Sequence, residues 1–230
     1  MSLPEKKIKK FLNHKISQLN DIIADFDNLL TEMETDFYRV TIFGSARIEQ
    51  HSPLYQQIYE LAAALAARDI DIVTGGGPGL MEAANKGAKA GSNRVRSIGL
   101  AIKLPFEDDA NAHLDVKRHH RRFSSRLDEF MRISHAVIVT QGGLGTLLEL
   151  FYTWQLMQVN HIQPRPFILL GKEMWKGLLK WMEKEVLGRK LMSNTDYFQL
   201  TLVDSIDEVI AILEPEVKKF YQFKEGQLPT

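Results

Sequence analysis

The segment Ala136–Glu149, AVIVTQGGLGTLLE, constrains this chain more than any other. An apolar, β-branched run stops at Gly142, Gly143 and Gly145, and helical periodicity begins at Leu144. This predicts a buried strand, a tight turn and a helix start. Glycines at such a junction leave backbone N–H groups uncovered at a helix N-terminus, where the peptide dipoles favour an anion such as phosphate. Glu149 reads as a first-turn carboxylate beside that anion site. It either closes a capping box with Thr146 or meets another part of a ligand. A glutamine would serve the box nearly as well but could not act as a base.

The same grammar recurs along the chain. Arg39–Phe43 (RVTIF) ends in Gly44-Ser45 and leads to an alanine-rich helix over Tyr55–Ala67. Ile70–Thr74 closes on Gly75, Gly76, Gly77, Pro78 and Gly79 before a helix over Leu80–Ala90. Further strands are predicted at Arg96–Leu104, Phe167–Leu170 and Phe198–Val203. Helices are predicted at His119–Arg132, Leu144–Val159, Trp175–Val186 and Ile206–Phe220. Pro105-Phe106 ends the third strand, and the following EDDANAH reads as an acidic loop.

Strands alternating with helices of this length imply an α/β fold: a single doubly wound, Rossmann-like parallel sheet with helices on both faces. Amphipathic spacing from Glu5 to Glu34 adds one or two N-terminal helices. The expected organisation is therefore a helical extension over 1–36 and one globular Rossmann-like unit over 37–230. In such sheets ligands sit outside the carboxyl ends of the strands, near the switch in strand order. Gly44-Ser45, the Gly75–Gly79 loop and the Gly142–Thr146 loop all fall at strand carboxyl ends and can converge on one crevice.

Composition excludes several classes. Lysine plus arginine equals aspartate plus glutamate at 29 each, so bulk charge gives no reason to expect nucleic acid or a membrane surface as partner. The absence of cysteine removes disulfides, thiolate nucleophiles and cysteine-ligated metal. Neither a signal peptide nor a spanning run is evident, so a cytoplasmic location is expected. The Gly75–Gly79 loop has Leu80 where a dinucleotide fingerprint needs its third glycine, and no Gly-Lys-Ser/Thr closes it as a Walker loop. Adjacent His119 and His120 would diverge on a helix, making a shared metal site improbable. Arg121, Arg122, Arg126 and Arg132 read equally as a solvated basic face.

TGGGPGLMEAANKGA, SIGLAIKLPFE, Phe123 with Arg126, and QGGLGTLLE, in this order and spacing, resemble the Lonely Guy (LOG) family of nucleotide phosphoribohydrolases, its larger bacterial branch in particular. The resemblance implies hydrolysis of the N-glycosidic bond of a nucleoside 5′-monophosphate, AMP-like or a cytokinin nucleotide, to free base and ribose 5-phosphate. It implies a homodimer and no cofactor or metal. Carried over position by position, the signature PGGxGTxxE falls on Gly142, Gly143, Gly145, Thr146 and Glu149, with Arg126 upstream as its arginine. Gln141 replaces the usual proline, and Leu127 the lysine that usually follows the arginine.

Members have also carried a lysine decarboxylase label, but nothing here identifies a pyridoxal-binding lysine. On these expectations Glu149 and Arg126 carry the chemistry, while Gly44, Ser45, Gly75, Gly76, Gly77, Gly79 and the Gly142–Thr146 loop hold phosphate and ribose. Met81, Phe106 and His120 are considered for the base pocket. The alternative is a nucleotide carrier or sensor that binds without cleaving.

Overall fold

The computed structural model describes residues 7–19, 23, 36–102 and 110–227. The chain divides into two compact units, Met1–Asp36 and Phe37–Thr230. In the first, residues 7–19 form a helix, α1; the rest of the predicted helical stretch, apart from residue 23, lies outside the described residues.

The second unit alternates strand and helix: β1 (Tyr38–Phe43), α2 (Pro53–Ala66), β2 (Ile70–Thr74), α3 (Leu80–Gly91), β3 (Ser97–Ile102), β4 (Val116–His120), α4 (Phe123–Ile133), β5 (Ala136–Val139), α5 (Leu144–Gln158), β6 (Phe167–Leu170), α6 (Lys172–Trp181), α7 (Asn194–Tyr197), β7 (Thr201–Val203) and α8 (Ile206–Gln227). Their strands form one parallel sheet in the order β4-β3-β2-β1-β5-β6-β7. The order reverses between β1 and β5, which pair directly from Val40↔Ala136 to Phe43↔Val139.

Strand pleating sorts the apolar residues into two cores. Val40, Ile42, Ile70, Ile72 and Ile138 face α2, α3 and α8; Phe43, Val73, Val137, Val139 and Leu169 face α4, α5 and α6. Because both faces are covered, β5 and β6 are apolar throughout rather than alternating, while β1 and β2 also bury Arg39 and Asp71 as an ion pair. Each fully buried Val, Ile or Leu stabilises the fold by roughly 1.5–3 kcal/mol. The doubly wound sheet expected from the sequence is the fold observed.

On the first face α2 and α3 approach closely at two glycines. A Cβ on Gly87 would lie 2.1 Å from the Tyr59 carbonyl oxygen, and one on Gly91 would lie 2.2 Å from that of Ala63. Backbone cannot yield as a flexible side chain does, so Gly87→Ala must push the helices apart. A loss of about 1–3 kcal/mol is expected, read as a lower denaturant midpoint with unchanged slope.

Three sequence expectations need correction. The basic helix over His119–Arg132 is two elements: VKRHH is the edge strand β4, and α4 begins only at Phe123. β4 is polar on both faces because one is exposed and Glu129 satisfies the other, so no hydrophobic alternation marked it. The helix beginning near Trp175 changes to a π-helical turn over Met182–Leu187. The strand over Phe198–Val203 is confined to Thr201–Val203, because Ser193 and Asp196 form a capping box that folds Asn194–Tyr197 as α7.

Candidate functional site

The reversal in strand order opens a crevice where β1 and β5 diverge, and backbone bonds lock its floor. Phe43 O accepts from Thr140 N (2.8 Å) and Thr140 Oγ1 (3.0 Å), and Ser45 N donates to Gln141 O (3.0 Å). A Cβ on Gly44 would stand 2.4 Å from Thr140 Oγ1, so this residue is glycine because two loops touch there. Gln141 thus fixes the turn through its carbonyl.

A cavity of about 820 Å³ lies above this floor. The loop after β1 supplies Gly44, Ser45, Ala46 and Arg47; the loop after β2 supplies Gly75, Gly76, Gly77 and Pro78, with Met81 from α3. β4 contributes Lys117 and His119, and α4 contributes Phe123 and Arg126. Gly143, Leu144, Gly145, Thr146 and Glu149 complete the wall from α5.

Two glycines expected to meet a ligand stand outside that wall. Gly79 adopts φ +67°, and an added Cβ would stand 2.5 Å from the Ser45 carbonyl oxygen and 2.7 Å from the Ala46 carbonyl carbon. Gly142 lies under the Thr146 side chain, whose Oγ1 would be 2.1 Å from an added Cβ. Both serve close packing. Gly143 and Gly145, by contrast, would direct a Cβ into open space. Nothing in the protein's own packing calls for glycine at those two positions.

The glycine loop after β2 is held rigidly. Gly76 has φ +73°, its N–H donates to Thr74 Oγ1 (2.9 Å), and its carbonyl accepts from Asn111 N (2.9 Å). Asn111 Nδ2 also donates to Gly77 O (3.0 Å) and Asn85 Oδ1 (2.9 Å), while Asn85 Oδ1 accepts from Thr74 Oγ1 (2.7 Å). The loop is therefore clamped from the residues ahead of β4.

α5 begins at Leu144 after the extended Gly143, and no side chain caps it. The capping box considered for Thr146 and Glu149 does not form. Thr146 is the third helical residue and Glu149 the sixth, in the second turn, because the helix starts earlier than such a box requires. Helix geometry leaves the N–H groups of Leu144, Gly145 and Thr146 without intrahelical acceptors, and all three residues line the cavity.

Glu149 meets Arg126 across the cavity, with Nη2 3.6 Å from Oε1. Arg126 is aimed by its Nε, which donates to Leu100 O (2.7 Å), and by Phe130, whose ring lies 5.2 Å from the guanidinium carbon. Burial raises the Glu149 pKa to about 7 against the opposing pull of Arg126. Burial likewise lowers the Arg126 pKa, countered by Glu149. Desolvation outweighs pairing for both groups, so the carboxyl exchanges its proton near neutrality.

Arg47, Lys117 and His119 were not singled out as wall residues by the sequence reading. For β4 the available signal was its period of two: Lys117 and His119 turn to the cavity while Arg118 and His120 turn to Glu129 on α4. Of the three residues considered for a base pocket, Met81 lines the cavity, His120 pairs with Glu129, and Phe106 lies outside the described residues. Among the described residues, no group of three His, Asp or Glu is placed to hold a metal ion, and no helix is long and apolar enough to cross a membrane.

A Rossmann-like sheet with glycine loops and an uncapped helix start around one buried carboxylate defines the class to which comparison with known proteins also leads. The family model described as "Possible lysine decarboxylase" matches residues 81–213, and the chain belongs to that family, the Lonely Guy (LOG) family. Over 140 residues it is 31% identical to the pyrimidine/purine nucleotide 5′-monophosphate nucleosidase of Escherichia coli (strain K12), covering 57% of this chain and 30% of that protein. The chain thus spans under a third of the length of that relative.

Cytokinin riboside 5′-monophosphate phosphoribohydrolase LOG1 of Arabidopsis thaliana is 28% identical over 196 residues, covering 82% of this chain and 88% of that protein. Among solved structures, the molybdenum cofactor binding protein of Rippkaea orientalis superposes with a TM-score of 0.58 at 22% identity, covering 80% of this chain and 99% of that one. This last likeness shows the fold alone.

Proposed function

We propose that this protein is an N-glycosyl hydrolase that cleaves nucleoside 5′-monophosphates, AMP-like or cytokinin nucleotides, to free base and ribose 5-phosphate. The observation that carries the reading is the buried Glu149 carboxyl paired with a buried arginine in the same cavity as an uncapped helix start; burial raises the pKa of that carboxyl. The names of the E. coli and Arabidopsis relatives support it.

In this reading the N–H groups of Leu144, Gly145 and Thr146, with the Thr146 hydroxyl, hold the 5′-phosphate and so fix the sugar. Gly44, Ser45 and the Gly75–Gly77 loop leave room for the ribose. Cleavage builds positive charge at the anomeric carbon as the bond to the base nitrogen breaks and its electron pair leaves with the base. A water oxygen bonds to that carbon, one water proton passes to the Glu149 carboxylate, and the departing base takes up one proton from that carboxyl or from solvent, so that one water is added across the cleaved bond. Glu149 also stabilises the developing cation through its charge. Arg126 stays protonated and orients Glu149 and substrate.

The test is release of ribose 5-phosphate from AMP, GMP, CMP, UMP and a prenylated AMP. Product from at least one is expected; binding without product from any would make the protein a nucleotide carrier or sensor.

We infer in addition that the protein is a homodimer joined through the outer face of α5. That helix is apolar on both sides: Leu150, Trp154 and Met157 enter the core, while Leu144, Leu148 and Phe151 are exposed. Leu148→Asp is expected to convert a dimer to a monomer in sedimentation velocity. A wild-type monomer that turns over substrate would sink the dimer claim.

A further inference from the structure

Charge in the cavity is unevenly used. Arg126 faces Glu149, whereas Lys117 and His119, which share the cavity face of β4, have no ion-pair partner among the described residues. Their neighbours on the strand behave differently: Arg118 and His120 both contact the buried carboxylate of Glu129. Asp115, just before the strand, is occupied by Lys89 and by the Ser97 N–H. Among the described residues, the edge strand pairs Arg118 and His120 on one face and leaves the Lys117 ammonium and the His119 ring without an ionic partner on the other.

Position adds to the argument. β4 is four strands from β5 in the sheet, and Lys117 and His119 pair in register with Gly99 and Ala101 of β3. At a spacing of about 4.8 Å per strand, the β4 edge lies some 19 Å across the sheet from the strand that feeds α5. A nucleotide with its phosphate at the start of α5 and its ribose at Glu149 directs its base toward Phe123 and β4. The two side chains, about 7 Å apart by strand rise, present an ammonium and an imidazole at that end.

We propose that Lys117 and His119 form a second anion subsite, which favours nucleoside 5′-monophosphates whose base carries a carboxylate over those whose base is neutral. The proposal rests on the nucleotide site described under Proposed function. Lys117 supplies a compact ammonium that meets a single carboxylate oxygen, and His119 adds a ring N–H donor beside it. A neutral base offers the Lys117 ammonium no ionic partner.

Matched pairs differing in the carboxylate test the subsite: orotidine 5′-monophosphate against UMP, and N6-succinyl-AMP against AMP. Affinities are measured by titration calorimetry in the Glu149→Gln protein, to suppress turnover, and in the Glu149→Gln/Lys117→Gln protein. In the single variant the carboxylated member of at least one pair is expected to bind tenfold or more tightly than its partner. Lys117→Gln is expected to collapse that ratio to within about twofold. Equal affinities within both pairs, or a ratio that survives Lys117→Gln, overturn the subsite while leaving the nucleotide site standing. Failure of all four nucleotides to bind overturns both readings together.

Discussion

Glu149→Gln is expected to lower ribose 5-phosphate release by about 10²–10⁴-fold, the range supplied by a positioned acid–base group, while nucleotide still binds. Glutamine keeps the shape and a hydrogen-bonding end, but it neither carries the charge that stabilises an anomeric cation nor accepts a proton. Because α5 has no capping box, the substitution removes no helix cap. Retained turnover would refute the assignment.

The wild-type pH profile follows from the same group. With the Glu149 pKa raised to about 7, the carboxylate fraction falls roughly tenfold per unit well below that value. Activity is expected to rise through neutrality on an acid limb that an ordinary carboxylate would place near pH 4.5.

Stability responds with the opposite sign. The native protein holds the Glu149 proton more tightly than the unfolded chain, whose carboxyl titrates near 4.5. This contribution is fully present below the unfolded value and is lost as pH rises through about 7. It amounts to at most on the order of 3 kcal/mol. Glu149→Gln never ionises, so its melting temperature relative to wild type is expected to climb between pH 5 and 8.

The second large effect is expected from a methyl group. A Cβ on Gly75 would stand 2.3 Å from Arg126 Nη2 and 2.7 Å from Met81 Sδ. Both atoms lie toward the ends of flexible side chains, so Gly75→Ala should leave thermal stability within about 1 kcal/mol of wild type. The guanidinium, however, must move, and with it the pairing to Glu149. Misplacing a positioning group by about 1 Å can diminish catalysis by about 10²-fold, and a loss of that order in kcat is expected. A melting temperature that falls as sharply as activity would show that Gly75 serves the fold rather than the site.

Much of the molecule was legible because its central strands are simple. Ala136–Val139 and Phe167–Leu170 are apolar runs, Ile70–Thr74 is a β-rich run that closes on the Gly75 loop, and each is a strand with those bounds. β4 was misread because an edge strand whose charges are satisfied from another element carries no apolar signature. The start of α5 at Leu144 is legible in the sequence, but the Thr146-x-x-Glu149 spacing that suggests a capping box lies inside the helix, because Gly143 and not Thr146 holds the N-cap position.

The glycines looked alike in the sequence. Only the structure separates Gly44 and Gly142, fixed by atoms pressed against them, from Gly143 and Gly145, which border empty space. The Arg126–Glu149 pair is likewise invisible to spacing, since it depends on α4 and α5 lying side by side.

The seam between β1 and β5 has a consequence for how the protein acquires competence during folding. The bond from Thr140 to the Phe43 carbonyl spans 97 residues of chain, so the floor of the cavity closes only after β2, β3, β4 and their helices have been made. Joining segments so distant is entropically slow, and the walls come from separated stretches of sequence between Gly44 and Glu149. A nascent or truncated chain ending before α5 carries every residue through Arg126 yet no pocket. During refolding, ligand capture should appear in one late kinetic phase, after most helical signal has returned.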